Sequence, residues 1–199
     1  MKLYDMTLSG NCYKVRLFLG LIGQTAERVP VDVLKGEHRQ SAFLATNPRG
    51  QVPVLEDGEL RVIDSQAILV YLARRYSDEA WFPQDALAQA RIVGWLSFAA
   101  NEMHHGPATA RAGRLFARPI DEALAANRAV AAISLLEQQL AQHAWLAETA
   151  GPSIADIAIY PYAALAGEGG LDLAPFAAVR AWCSRIRQLP GYVGMPGLE

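Results

Sequence analysis

Cysteine is scarce in this chain: only Cys12 and Cys183 stand in 199 residues. Two thiols are too few for a disulfide framework, and no Cys-x-x-Cys pair occurs, so a reducing cytoplasm is the expected location. A surplus of either charge is missing as well. Lys and Arg number 18 against 20 Asp and Glu, a formal charge of −2, which gives no long-range attraction toward nucleic acid or anionic lipid. Long apolar runs are also lacking. The stretch from Leu17 to Gly23 falls far short of the ~20 residues that a membrane helix needs. The opening Met1-Lys2-Leu3-Tyr4-Asp5 lacks the apolar segment of a signal peptide. There is no internal repeat and no low-complexity tract. His104 and His105 are adjacent, without the i,i+4 spacing or further ligands of a metal site, so no metal is expected.

What is present divides in two. To about residue 77, short β-like runs alternate with helix-like ones. Lys2–Asp5 and Glu27–Val33 read as strands, the second with Val29, Val31 and Val33 on one face. Cys12–Ile22 carries Val15, Leu19 and Ile22 at helical spacing. Asn47-Pro48-Arg49-Gly50 is a turn signal. Val52–Glu56 and Leu60–Ile63 read as strands joined through Asp57-Gly58, a hairpin dipeptide. Asp64-Ser65 then opens a helix. The order β-α-β-α-β-β-α suits a small mixed sheet with helices on its faces. Tyr76–Ala86 reads as a linker, and from 86 to 199 only helical stripes follow, among them Ile92, Leu96, Ala99 and Met103. The expected fold class is therefore α/β followed by all-α.

Three segments carry a resemblance: Ser9-Gly10-Asn11-Cys12-Tyr13-Lys14-Val15-Arg16, Gln51-Val52-Pro53, and Asp64-Ser65-Gln66-Ala67-Ile68. Together with the capping sequence Pro152-Ser153-Ile154-Ala155-Asp156, they resemble the cytosolic glutathione transferase family, in its bacterial serine-type, theta-like and zeta-like members. The resemblance spans essentially the whole chain. It implies a thioredoxin-like domain over 1–77 that binds glutathione, and a helical domain over 86–199 that forms the electrophile pocket.

The chemistry follows from the co-substrate. Glutathione has two carboxylates, an amine, and a thiol of pKa about 8.5 when free. A hydroxyl at a helix start can donate to its thiolate while the helix terminus adds positive potential. Ser9 stands at such a place, and equally serves as an N-cap; Asn11 is the second candidate for the donor role. The resemblance implies a cis Val52–Pro53 bond, main-chain pairing of glutathione with Val52, and a contact from Gln51. A trans proline at a strand start is the alternative. Free N–H groups and the Ser65 hydroxyl make a carboxylate site at a helix N-terminus, and the resemblance assigns it the γ-glutamyl carboxylate with Asp64 near the amine. His38, in the loop Lys35-Gly36-Glu37-His38-Arg39, matches the histidine that meets the glycyl carboxylate, although loop histidines are commonly just solvated.

The second pocket is less legible. Trp95, Phe98, Phe116 and the segment Tyr192–Glu199 are candidates to shape it, with Phe98 and His104 as candidate electrophile contacts; Tyr4 is a reserve for the hydroxyl role. Cys12 lies one turn into its helix without a partner thiol and reads as a small buried residue. The resemblance implies conjugation of glutathione to an electrophilic, mostly apolar small molecule, as in detoxification. Glutathione-dependent disulfide or peroxide reduction, and a non-catalytic binding module, are the alternatives. It also implies a homodimer in which Asn101 or Glu102 reaches the neighbour's site.

Overall fold

The computed structural model describes residues 1–198. Strands β1 (Lys2–Asp5), β2 (Glu27–Pro30), β3 (Val54–Asp57) and β4 (Leu60–Ile63) form one sheet in the order β2-β1-β3-β4. β1 runs parallel to β2 and antiparallel to β3, and β3 and β4 form a hairpin. Helix α1 (Gly10–Leu21) crosses between β1 and β2, α2 (Ser41–Thr46) precedes β3, and α3 (Ser65–Tyr76) follows β4. This is the mixed sheet with covering helices expected of a thioredoxin-like domain.

Two strand boundaries differ from the sequence expectation. β2 stops at Pro30 because its partner β1 ends at Asp5; the Val31 N–H makes one more bond to the Asp5 carbonyl, and a Val33-to-Val31 turn then carries the chain away. Val31 is still buried, while Val33 is only partly so. β3 starts at Val54 instead of Val52, since Pro53 has no N–H to give to a ladder.

After a coil at 77–85, the helices are α4 (Ala86–Ala100), α5 (Thr109–Phe116), α6 (Glu122–Gln142), α7 (Ile154–Ala164) and α8 (Ala177–Arg187). A five-residue π turn, His104–Ala108, joins α4 to α5. α7 is the central post: Ile154 through Ala163 are all buried, and it packs on α1, α3, α4 and α8. Its first turn is fixed by a capping box in which Ser153 and Asp156 satisfy each other's end of the helix. One continuous apolar core runs from Leu3 and Leu55 in the sheet through α1 and α7 to Trp182 in α8. None of the helices among the described residues is long and apolar enough to cross a membrane.

Candidate active site

An open cleft of about 1180 Å³ lies where the loops after β1, β2 and α2 meet α4, α5 and the π turn. Ser9 opens onto it as the N-cap of α1. Its Oγ accepts from the Cys12 N–H at 3.2 Å. A hydroxyl has two lone pairs and one proton, so capping leaves Ser9 a donor for a ligand; the two readings of this residue are compatible. Asn11 lines the cleft beside it.

The start of α1 is pressed against the helical domain. A Cβ at Gly10 would stand 2.7 Å from the Tyr162 ring, so only glycine lets the serine-bearing turn sit this close to α7. Tyr162 itself lines the cleft, and burial raises its hydroxyl to about 12, keeping it protonated as a donor. Cys12, one turn on, is fully buried; it accepts from the Met6 N–H at 3.4 Å, and burial pushes its thiol up to about 12. A protonated, enclosed thiol is a poor nucleophile.

Gln51, Val52 and Pro53 form a second wall, and the Val52–Pro53 bond is cis. Neither the N–H nor the C=O of Val52 has a backbone partner among the described residues, so this edge is open for pairing. The buried Asn47 shapes it, donating from Nδ2 to the Gln51 carbonyl at 2.7 Å and accepting from the Arg49 N–H at 3.0 Å. Gly50 completes the bend at φ +58, its missing Cβ leaving room for the His38 carbonyl.

Asp64 and Ser65 form the third wall at the N-terminus of α3. Asp64 caps the helix, accepting from the N–H groups of Gln66 (2.8 Å) and Ala67 (3.2 Å). It does so at φ +79, a left-handed backbone unusual for a residue with a Cβ, of the kind that clusters where ligands bind. Ser65 and Gln66 line the cleft and are bonded to each other at 2.6 Å.

His38 and Arg39 close the far end, while Lys35 pairs with Asp32 at 3.1 Å and does not line the cleft. Burial and the neighbouring Arg39 and Arg118 lower the His38 pKa, favouring the neutral ring, and its Nδ1 is buried without a partner.

Of the candidates for the second pocket, His104 and Phe116 line the cleft. Phe98 does not. It packs edge-on against Trp95, both lying against the core, because the residues of α4 turned to the cleft are Ala99 and Ala100. The C-terminal segment is also elsewhere: the Val193 carbonyl accepts from the Tyr13 hydroxyl at 2.7 Å, and Tyr192 bonds Tyr160, both behind α1; Glu199 lies outside the described residues. Tyr4 donates to Glu56 at 3.2 Å and does not line the cleft. Asn101 and Glu102, bonded to each other at 3.1 Å beyond the end of α4, do not line this chain's own cleft.

Sequence reasoning passed over Asn47, Tyr162, Arg111 and Arg118. The Asn-Pro-Arg-Gly turn was a usable signal for Asn47. Tyr162 and Arg111 lie in helices whose pattern carries no mark of a site, and Arg118 lies in the short connection between α5 and α6. Among the described residues no group of three or more potential ligands could hold a metal.

The sequence model described as "Glutathione S-transferase, N-terminal domain" matches residues 1–74. A solved glutathione S-transferase from Pseudomonas fluorescens is 35% identical, covers 98% of each chain and superposes with a TM-score of 0.90. A possible glutathione S-transferase from Rhodopseudomonas palustris is 36% identical, covering 98% of this chain and 96% of its own, with a TM-score of 0.87. Among curated proteins, a maleylacetoacetate isomerase of Pseudomonas aeruginosa is 42% identical over 108 residues, 52% of this chain and 50% of that protein. The matches thus span about half the length of such curated relatives.

Proposed function

We propose, from the premise that this chain belongs to the glutathione S-transferase family, that it is a glutathione transferase conjugating the tripeptide to a small, mostly apolar electrophile. The observation that carries this reading is the convergence on one cleft of a capping serine, an unpaired main-chain edge and the Asp64-Ser65 pair at the start of α3. Ser9 donates to the sulfur. Val52 pairs with the cysteinyl amide, with Gln51 beside it. Ser65, through its own N–H and hydroxyl, holds the γ-glutamyl carboxylate, Asp64 its ammonium group, and His38 the glycyl carboxylate.

In the reaction the thiol proton leaves to solvent. The thiolate sulfur forms a bond to the electrophilic carbon, and a leaving group such as chloride departs with its electron pair. Ser9 and the dipole of α1 stabilise the thiolate, and each pKa unit of lowering corresponds to about 1.4 kcal/mol. The burial of Cys12 favours this over disulfide exchange through a protein thiol. A homodimer accords with Asn101 and Glu102, which stand clear of this chain's own cleft, and two buried free cysteines accord with a cytoplasmic location, to be checked by cell fractionation.

The test is conjugation of glutathione to 1-chloro-2,4-dinitrobenzene, with light scattering on the same sample returning twice the 21.6 kDa of one chain. Ser9→Ala should lower turnover at neutral pH on the order of 10-fold, the worth of a hydrogen bond to a charged group, with Ser9→Thr restoring part of it. The alanine also removes a cap worth ~1 kcal/mol, so a melting curve accompanies the assay. Full activity in Ser9→Ala beside a dead Cys12→Ala would transfer the role to the cysteine.

A further inference from the structure

The charge of the cleft is lopsided in a way the chain is not. Arg39, Arg49, Arg111 and Arg118 line it, with Asp64 as its single carboxylate among the described residues, although acidic residues slightly outnumber basic ones over the whole sequence. Arg39 and Arg49 belong to the loops beside His38 and Gln51, where glutathione's own carboxylate is placed. Arg111 and Arg118 belong to the helical wall, together with His104.

Arg111 is unusual among them. Its side chain is 4% exposed, so its charge is nearly desolvated. Nε donates to Glu168 at 2.6 Å and Nη1 to the Leu8 carbonyl at 2.8 Å, while Nη2 is buried with no partner. A buried donor left unmade costs about 1–3 kcal/mol, more when charged. Glu168, a third exposed, offsets the charge only from one side. The helical side of the same cleft also carries the apolar residues Ala99, Ala108, Phe116 and Ile120. A flat apolar body bearing one anion fits such a surface.

We propose that the helical wall is a carboxylate-binding subsite anchored by Arg111 and flanked by His104 and Arg118, so that the electrophile is a small organic acid with an apolar body. This rests on the glutathione-transferase reading and deepens it. A rearrangement of the Arg111 fork brings Nη2 to the carboxylate, and the reacting carbon lies toward Ser9, because Leu8, which Arg111 holds, precedes that serine. The covalent step is the one given above, thiolate displacing a leaving group from carbon; the carboxylate takes no part in it.

The experiment compares 4-chloro-3,5-dinitrobenzoate with its methyl ester, each rate divided by its uncatalysed rate with glutathione. Wild type should favour the acid by about 10-fold in kcat/KM, mainly through KM. Glu168→Gln, which keeps the shape and an acceptor for Nε, should widen that ratio, and Arg111→Met should collapse it toward unity. Equal treatment of acid and ester by wild type overturns the proposal and leaves the transferase reading standing. If neither compound is conjugated, the transferase reading falls. The subsite is then decided by calorimetry with unreactive 3,5-dinitrobenzoate against its methyl ester. Tighter binding of the acid, lost in Arg111→Met, supports it, and equal binding overturns it. Should Arg111→Met fail to fold, the wild-type and Glu168→Gln comparisons carry the decision.

Discussion

Lys14 sits on α1 with no exposed surface, its Nζ 5.5 Å from the centre of the Tyr162 ring and without a hydrogen-bond partner. Burial lowers its pKa from 10.5 to about 7, and the charge of Asp64 opposes that fall. The His104 pKa is lowered by burial first, then by the neighbouring His105 and by this amine. A lysine whose folded pKa is depressed binds fewer protons when folded than when unfolded between about pH 7 and 10.5. Its penalty is therefore full below pH 7 and fades as pH rises. Lys14→Met should raise the melting temperature by about 5 °C at pH 6, and the gain should shrink by pH 10. A gain that stayed flat with pH would show that the amine keeps an ordinary lysine pKa and is charged in both states. The sequence held no sign of this. Val15, Leu19 and Ile22 marked one inward stripe, but α1 is wedged between sheet and α7 and buried nearly all round, so a stripe argument cannot say which polar residue goes inside. Ser9 was legible as a cap, because a hydroxyl residue just before a helical stripe marks that position, and the cap forms.

At the level of elements, α7 shows how a local signal becomes a global one. The Ser153-x-x-Asp156 pattern reads as a capping box, and the box forms. What the pattern does not show is that Asp156 is fully buried and accepts from four groups: the Ser153 N–H (2.9 Å) and hydroxyl (3.1 Å), the Leu146 N–H (3.1 Å) and the Trp182 indole (2.9 Å). One carboxylate ties the start of α7 to the preceding loop and to α8. Asp156→Ala leaves those donors stranded and should cost about 3 kcal/mol or more, with Ser153→Ala costing nearer ~1 kcal/mol. Denaturant titration of both variants checks this; equal losses would reduce Asp156 to a cap. The junction of α4 and α5 was opaque for the opposite reason. His104 to Ala108 wind as a π turn that includes Pro107, and a 3.6-residue period loses its register there. Past this turn the His104 and Thr109 positions no longer follow the stripe of α4.

For the molecule as a whole, the order of elements along the chain was readable, because turn dipeptides and the change from period 2 to period 3.6 are local. The composition of the cleft was not, since its walls come from residues a hundred positions apart. Arg111 is the clearest case: it reaches from α5 to the carbonyl of Leu8, the residue before Ser9. One side chain thus grips the loop that carries Ser9 while lining the cleft. A carboxylate that draws on this guanidinium also changes its hold on the loop, so the two ligands exchange free energy through it. Thermodynamic linkage makes such an exchange symmetric. The factor by which 3,5-dinitrobenzoate alters the dissociation constant of glutathione should equal the factor by which glutathione alters that of the acid, and calorimetry in both orders of addition measures each. A common factor of one would mean that the tie is mechanically inert. Any other shared value, if it vanishes in Arg111→Met, would make Arg111 the link through which the two halves of the cleft sense each other's occupancy.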